Sequence, residues 1–190
     1  MHVDLNDTLS LSTEHFRSVL AMVVEDDLAR ATPCEKWSVA ELIWHVARGS
    51  DMSRVLLDGG SKAQAIEMFK LPVPPDLLTE CLRSLDVQSS AFRAAGDLGQ
   101  IVHHPLGDVT VRQLFDFRIM DLTLHAWDLA RAIGANEVLP DELVTHVYEM
   151  LSPLAEVVGQ IGIFGTGPSQ ELDDQASSQQ RLLDLSGRRP

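Results

Sequence analysis

Cysteine is scarce in this sequence, since the 190 residues include only Cys34 and Cys81, and these do not form a CxxC pair. Two cysteines are too few for a disulfide framework, which fits a reducing environment. Long apolar runs are also lacking, because no stretch approaches the roughly 20 residues that span a bilayer. The first residues lack the basic and apolar parts of a signal peptide. We therefore expect a cytoplasmic protein without a membrane partner.

Positively charged residues are also few. The chain has 15 Lys and Arg against 28 Asp and Glu, a formal charge of −13, and no basic cluster stands out. Such a chain repels phosphate backbones, so we expect no nucleic-acid partner. The motifs of several other activities are missing too, because there is neither a GxSxG elbow nor a P-loop. The glycine-rich segment 164–168 follows no predicted strand and is predicted to be a turn.

What the sequence does contain is typical of a globular protein, with 45% hydrophobic and 23% charged residues. A chain of this length suits one domain with a substantial core. We expect residues 1–190 to form that single domain. Residues 165–190 are polar and are predicted to be a surface tail, with a short helical turn at 179–185.

Helical periodicity dominates the chain. Apolar residues spaced i, i+3, i+4 and i+7 predict a first helix over about 9–29. Capping boxes formed by Ser38 with Glu41 and by Thr110 with Gln113 begin two further helices. The predicted helices cover about 9–29, 38–58, 62–69, 76–95, 110–134 and 140–160. Strand signals are weak, and 101–102 is too short to count. Helices joined by short and medium loops favour an all-α antiparallel bundle.

The helix predicted over 110–134 has two polar residues within its apolar face. Asp121 and His125 stand four residues apart, so both side chains point to the same side among leucines. The solvent side is assigned to Gln113, Asp116, Thr123 and Arg131. Two interpretations stay open. One is a buried Asp–His hydrogen bond, or a polar stripe in which Arg118 and Asp128 lean towards solvent. The other is a metal site, because carboxylate oxygen and imidazole nitrogen suit zinc and its neighbours.

A third candidate ligand lies on the second helix. His45 stands among apolar positions of that helix, and Gly49, one turn later, is expected to leave room beside it. Glu41, one turn earlier, is a candidate hydrogen-bond acceptor behind the metal ligand. The sequence therefore predicts one divalent ion held by His45, Asp121 and His125. It assigns no catalytic base.

The other histidines and Cys34 are weaker candidates. His146 and Glu142 are four residues apart, but they are predicted to lie on a solvated face. His103 and His104 are neighbours in a predicted loop, where adjacent side chains seldom share an ion. Cys34 has no histidine close to it in the sequence, so we interpret it as a small buried residue.

Three segments carry a family resemblance: TPCEKWSV with LIWHV at 32–39 and 42–46, DLTLHAWDLARAIG at 121–134, and LPDEL at 139–143. They resemble the DinB-like metalloprotein superfamily. The likeness is closer to the metal-binding N-terminal domain of mycothiol-dependent maleylpyruvate isomerase and its uncharacterised relatives. It extends over nearly the whole chain, and the segment 121–134 is its most specific part.

The resemblance implies a four-helix bundle with up–down–down–up order and a zinc or other divalent ion (nickel, manganese or iron) between helices. His45 and His125 correspond to the first and last histidine ligands of the family. Asp121 stands where the isomerase carries a glutamate, which implies a different cavity. The isomerase also has a second domain that helps to hold its thiol cofactor, and this chain is too short for one. We therefore expect a related thiol reaction rather than the isomerisation itself.

Three hypotheses about function follow. The first is a metal-dependent thiol S-transferase, isomerase or hydrolase-like enzyme. It would use mycothiol or another low-molecular-weight thiol and act on a small electrophile. The alternative is a non-catalytic protein of ligand binding or stress response that uses the same metal. In the third, the Asp–His cluster is purely structural. The family likeness allows a monomer or a homodimer.

Overall fold

Seven α-helices and one short hairpin make up the described part of the chain. The structure is a computed structural model and describes residues 4–156, 167–169 and 171–189. The helices are α1 (Leu5–Leu20), α2 (Val39–Leu57), α3 (Lys62–Met68), α4 (Leu77–Ala94), α5 (Val111–Ile133), α6 (Asp141–Leu151) and α7 (Ser178–Leu185). The strands are β1 (Ile101–His104) and β2 (Gly107–Thr110), paired antiparallel. Within the described residues, no helix is both long and apolar enough to cross a membrane.

The four long helices α1, α2, α4 and α5 form the predicted bundle. Helix α2 packs mainly on α4, and α1 packs mainly on α5, while α2 and α5 also meet. Large side chains with no exposed surface fill the space between them, among them Phe16, Phe92, Phe115 and Leu122. The rings of Phe92 and Phe115 lie 4.3 Å apart. The α2–α5 contact is the one that positions the candidate site.

Both predicted capping boxes are present. The Ser38 hydroxyl accepts from the backbone N–H of Glu41 at the start of α2, and Thr110 does the same for Gln113 at the start of α5. These bonds satisfy N–H groups that have no partner inside a helix. Helix α5 ends where Gly134 adopts the left-handed conformation, with φ 72°. The predicted bounds of α2, α3, α4 and α5 are confirmed to within one or two residues.

The first predicted helix is wrong at both ends. Helix α1 begins at Leu5 because the Asp4 carboxylate accepts from the N–H groups of Asn6 and Asp7. It ends at Leu20, and the stretch Glu25–Asp27 forms a separate 3₁₀ turn. There the Asp27 carboxylate accepts from the N–H of Val24 at 3.0 Å. Such a bond offers the backbone an alternative to continuing the helix.

Two further expectations are corrected. The stretch 101–102, dismissed as too short, belongs to β1, because a second short strand across a tight turn pairs with it. The helix predicted over 140–160 ends at Leu151, and Ser152–Leu154 forms a 3₁₀ turn. Pro153 in that turn has no N–H to continue the helical bonding. Residues 157–160 of that prediction lie outside the described residues.

The helical turn predicted at 179–185 is confirmed as α7, but this helix is partly buried rather than a surface tail. Helix α7 packs against α6 and buries Leu182, Leu183 and Leu185. The polar residues 178–181 and Asp184 lower the average hydrophobicity of this helix, so its apolar face is not apparent from the sequence. Asp184, also buried, accepts from the backbone N–H of Ser169. The C-terminal segment is therefore anchored to the bundle. The segment 164–166 of the predicted glycine-rich turn lies outside the described residues.

Candidate metal centre

Helices α2 and α5 bring His45, Asp121 and His125 together, and we call these three residues the ligand triad. Nε2 of His45 lies 3.3 Å from Oδ1 of Asp121, and Nε2 of His125 lies 3.4 Å from the same oxygen. One ligand atom from each residue falls within 4.8 Å of the other two. The three residues that the sequence singles out thus meet at one point. That an ion binds there stays a prediction.

The side chains of the triad are partly exposed. The side chains of His45 and Asp121 are 27% and 19% exposed, and that of His125 is 10% exposed. Solvent can therefore reach part of the triad. Two aromatic rings lie beside His45: the ring centroid of Trp37 is 4.4 Å from that of His45, and the ring centroid of Phe69 is 5.8 Å from it.

Arg118 holds the carboxylate of the triad from behind. Its Nη1 donates to Oδ2 of Asp121 at 2.7 Å, and its Nε donates to Gln88 at 2.7 Å. Its Nη2 donates to Ser50 at 3.1 Å. A Cβ at Gly49 would collide with Nη1 of Arg118, so the glycine makes room for the guanidinium rather than for His45. The expectation about Gly49 is corrected accordingly.

Asp128 and Arg188 hold the ring of His125 in a similar way. Nδ1 of His125 lies 2.9 Å from Oδ2 of Asp128. Because a carboxylate only accepts, that nitrogen carries the proton, and the ring turns Nε2 towards the triad. Arg188 donates from Nε to Oδ1 of Asp128 at 2.8 Å and from Nη2 to Oδ2 at 2.6 Å. A carboxylate behind a histidine ligand is the usual support of protein metal sites.

The interpretation in which Arg118 and Asp128 form a polar stripe that leans towards solvent is therefore wrong. Both are buried, and so is Thr123, which was assigned to the solvent side. Thr123 is buried because its hydroxyl donates to the backbone oxygen of Ile119, which satisfies it inside the bundle. Each of the two charged residues has a charged partner, which makes its burial tolerable.

The charges of the cluster perturb the pKa values strongly. Burial alone would raise the pKa of Asp121, but the charges of Arg118 and His125 outweigh it and hold that pKa well below its usual range. Burial would lower the pKa of His125, but Asp121 and Asp128 raise it well above its usual value. Burial would also raise the pKa of Asp128, and Arg188 instead brings it to about 2. The metal-free cluster thus holds a proton on His125 that a cation would displace.

A second group of ligand atoms overlaps the first. Cys34 places Sγ 4.0 Å from Nδ1 of His125 and 3.4 Å from Oδ2 of Asp128. These three atoms also lie within 4.8 Å of one another. The two groups differ in their contacts with arginine. Arg188 donates hydrogen bonds to both carboxylate oxygens of Asp128, whereas Arg118 donates to Oδ2 of Asp121 and not to Oδ1. The ligand triad is therefore the better fit for a divalent ion.

Glu41 does not take the supporting role predicted for it. Its Oε2 accepts from the backbone N and from Oγ of Ser38, both at 2.8 Å, and the side chain is exposed. The capping box thus uses the carboxylate. Among the hydrogen bonds of the described residues, the acceptor behind a triad histidine is Asp128.

Three other described histidines contact residues outside the triad. His146 pairs with Asp116 of α5 at 3.1 Å, so it is only partly exposed rather than on a fully solvated face. His103 pairs with Asp108 across the hairpin at 2.8 Å. His104 accepts from the N–H of Leu106. Within the described part of the chain, the groups able to hold an ion are the triad and the overlapping cysteine group.

Comparison with known proteins identifies a family whose sequence pattern covers most of the bundle. The profile of the mycothiol maleylpyruvate isomerase N-terminal domain matches residues 9–130, which include the whole triad. Two curated relatives from strains of Mycobacterium tuberculosis, the uncharacterized proteins Rv0738 and MT0763, are each 33% identical over 145 residues. Those alignments cover 76% of this chain and 74% of each relative.

Solved structures show the same fold. The crystal structure of mycothiol-dependent maleylpyruvate isomerase superposes with a TM-score of 0.62, and that of a histidine-to-alanine mutant with 0.65. Each is 20% identical to this chain, and the match covers 82% of this chain and 70% of the other. At that identity the likeness concerns the fold.

Proposed function

Because the chain belongs to the mycothiol maleylpyruvate isomerase N-terminal domain family, we propose that it is a metal-dependent enzyme that activates a low-molecular-weight thiol. The observation that carries the proposal is the convergence of His45, Asp121 and His125 on one point that solvent can reach. A protein of the same fold is a mycothiol-dependent maleylpyruvate isomerase. That likeness supports mycothiol, or another low-molecular-weight thiol, as the candidate thiol.

The donor set fits a divalent first-row ion. Two imidazole nitrogens and one carboxylate oxygen suit zinc, with nickel, manganese and iron as neighbours in preference. Three protein ligands leave at least one position open for water or for a thiol. When bound, the ion would lower the pKa of a coordinated thiol and so provide a nucleophile near neutral pH.

The chain's own residues prepare the site for that chemistry. Arg118 holds Oδ2 of Asp121 and leaves Oδ1 directed at both histidines. Asp128 holds Nδ1 of His125, so that Nε2 stays available. Trp37 and Phe69 place apolar surface beside His45. In an S-transfer reaction, the S–H bond breaks and its proton passes to solvent, the sulfur forms a bond to an electrophilic carbon of a small cosubstrate, and the group that this carbon loses leaves with the electron pair of the broken bond.

Metal content is the first test. Untagged protein analysed for elements should contain one divalent ion per chain. His45→Ala and His125→Ala should each lose it, because two ligands seldom hold an ion tightly. His103→Ala is the matched control, since that side chain pairs with Asp108 in the hairpin and should leave the ion bound. Full metal content in both triad variants would make the assignment wrong and favour a purely structural Asp–His cluster.

Thiol binding and turnover are the second test. Cobalt-substituted protein should gain a sulfur-to-metal charge-transfer band with mycothiol, bacillithiol, glutathione or cysteine. Thiol consumption in the presence of small electrophiles should then depend on the metal. A charge-transfer band without turnover across the electrophiles would favour the non-catalytic binding protein. Absence of the band with every thiol would contradict direct thiol activation.

A further inference from the structure

Arg188 reaches the candidate site from a segment outside the family match. The family profile ends at residue 130, and Arg188 follows helix α7. Its side chain is only 11% exposed. A long charged side chain is rarely so buried unless a partner holds it. Here the partner is Asp128, which is fully buried.

The end of α7 is built to direct Arg188 inward. Gly187 adopts the left-handed conformation, with φ 75°. Its N–H donates to the oxygen of Asp184 at 2.9 Å, and the N–H of Arg188 donates to the oxygen of Leu183 at 2.8 Å. This pair of bonds is a Schellman motif, which ends a helix and turns the chain. Buried leucines fix the position of α7, and the turn after it therefore places the guanidinium of Arg188 beside Asp128 on α5.

A continuous series of hydrogen bonds connects Arg188 to the ligand triad. The guanidinium donates to both oxygens of Asp128, Oδ2 of Asp128 accepts from Nδ1 of His125, and Nε2 of His125 faces Asp121. Arg188 can hold both carboxylate oxygens because its N–H groups form a planar fork. The plane of the carboxylate is thereby set, and with it the orientation of the imidazole ring.

We infer that Arg188 is a positioning residue of the metal site, and that the C-terminal segment is therefore a working part of that site. This role rests on the function proposed above: Arg188 holds the carboxylate of Asp128 in one orientation, so that His125 presents Nε2 to the ion. Loss of Arg188 leaves a buried carboxylate without its cation. Without these two hydrogen bonds the carboxylate can reorient, and the histidine ring loses its fixed direction.

The experiment compares metal affinity in three variants of the full chain. Arg188→Gln removes the fork and its charge, while Arg188→Lys keeps the charge but cannot bind both oxygens at once. Arg189→Gln is the matched control, because it removes a charge from the neighbouring residue, which pairs with Asp184 instead of Asp128. Zinc dissociation constants come from competition with a chelator. Circular dichroism and thermal melting check that each variant is folded.

We expect Arg188→Gln to bind zinc about 10–100-fold more weakly than the wild type, the usual effect of losing a supporting partner behind a ligand. Arg188→Lys should lose at least threefold, and the Arg189→Gln control should stay within twofold. If Arg188→Gln does not fold, Arg188→Lys decides the matter. If a folded Arg188→Gln variant binds zinc as tightly as the wild type, the inference is refuted, but the proposed metal site is not. The same conclusion applies to Arg188→Lys if Arg188→Gln does not fold. Failure of the wild type to bind any metal refutes both.

A double-mutant cycle tests the route through Asp128. In an Asp128→Asn background, Arg188→Gln should change the zinc affinity by less than twofold, because the side chain it would act through has already been altered. Independent losses that multiply in the double variant would show that Arg188 does not act through Asp128. The cobalt spectrum is the second readout, and its visible bands should shift in Arg188→Gln if the histidine ring has turned, whereas an unchanged spectrum would contradict a role in positioning.

Discussion

Replacing Gly49 by alanine tests whether Arg118 is held as tightly as its contacts indicate. Gly49 is a buried residue in the middle of α2, and Nη1 of Arg118 lies where a Cβ would be. That same nitrogen donates to Oδ2 of Asp121 at 2.7 Å. An alanine therefore forces the guanidinium away from the carboxylate. We expect Gly49→Ala to destabilise the metal-free protein.

Two opposing effects set the magnitude. Alanine in place of a glycine inside a helix normally stabilises by about 1 kcal/mol. Losing a hydrogen bond to a charged group costs about 1.5–3 kcal/mol. The difference is a net loss of about 0.5–2 kcal/mol in the free energy of unfolding. For a domain of this size, that corresponds to a fall of roughly 1–8 °C in Tm.

The assay is urea denaturation in the presence of a chelator, with Gly96→Ala as the control. A Cβ at Gly96 meets no atom within 4 Å, so that variant should not lose stability. In an Arg118→Met background, Gly49→Ala should become stabilising, because the shorter side chain does not reach the space beside residue 49. If Gly49→Ala stabilised the wild-type protein by the ordinary helix amount, the tight packing inferred here would be wrong.

Three other predictions concern the triad, pH and nucleic acid. In the metal-free protein, Asp121→Ala should cost about 1–3 kcal/mol more in the wild type than in a His125→Ala background, and equal losses by denaturant titration would show that the two side chains do not interact. Burial lowers the pKa of His104 from 6.5, so the neutral form is favoured on folding, and its contribution to stability should fall as the pH drops below about 6.5. His104→Asn should flatten that part of the pH–stability curve, and an unchanged curve would contradict the shifted pKa. A labelled DNA duplex should show no salt-dependent binding at micromolar protein, since a charge of −13 without a basic stripe releases no counterions.

The bundle could be predicted because local rules and packing agree along most of the chain. Helix α5 has apolar spacing, a capping box at Thr110 and a terminating Gly134, and each signal points to the same element. The predictions were wrong where a single side chain or a distant segment determines the local structure. The Asp27 carboxylate accepts from the backbone N–H of Val24 beyond the end of α1. The buried face of α7 is too short to raise the average hydrophobicity of a polar segment.

The ligand triad was predictable for a similar reason, because Asp121 and His125 share a helical face and His45 is a lone histidine among apolar positions. The residues that support the triad could be predicted only in part from the sequence. Arg118, Asp121, His125 and Asp128 are separated by three, four and three residues, so one polar stripe of α5 contains all four. That spacing was a usable signal for the buried roles of Arg118 and Asp128. No local pattern reveals Arg188 or Cys34, which reach His125 and Asp128 only through the fold.

The charges around the triad bear on what it binds. Two carboxylates, of Asp121 and Asp128, face two guanidinium groups, of Arg118 and Arg188, so the four side chains cancel. A divalent ion held by neutral histidines would therefore leave a local excess of positive charge. The chain as a whole carries −13, which repels anions at distances where solvent and salt have not yet screened it. If the ion and the thiol bind as proposed above, the thiolate would be attracted only at close range, where its coordination to the ion outweighs the overall repulsion.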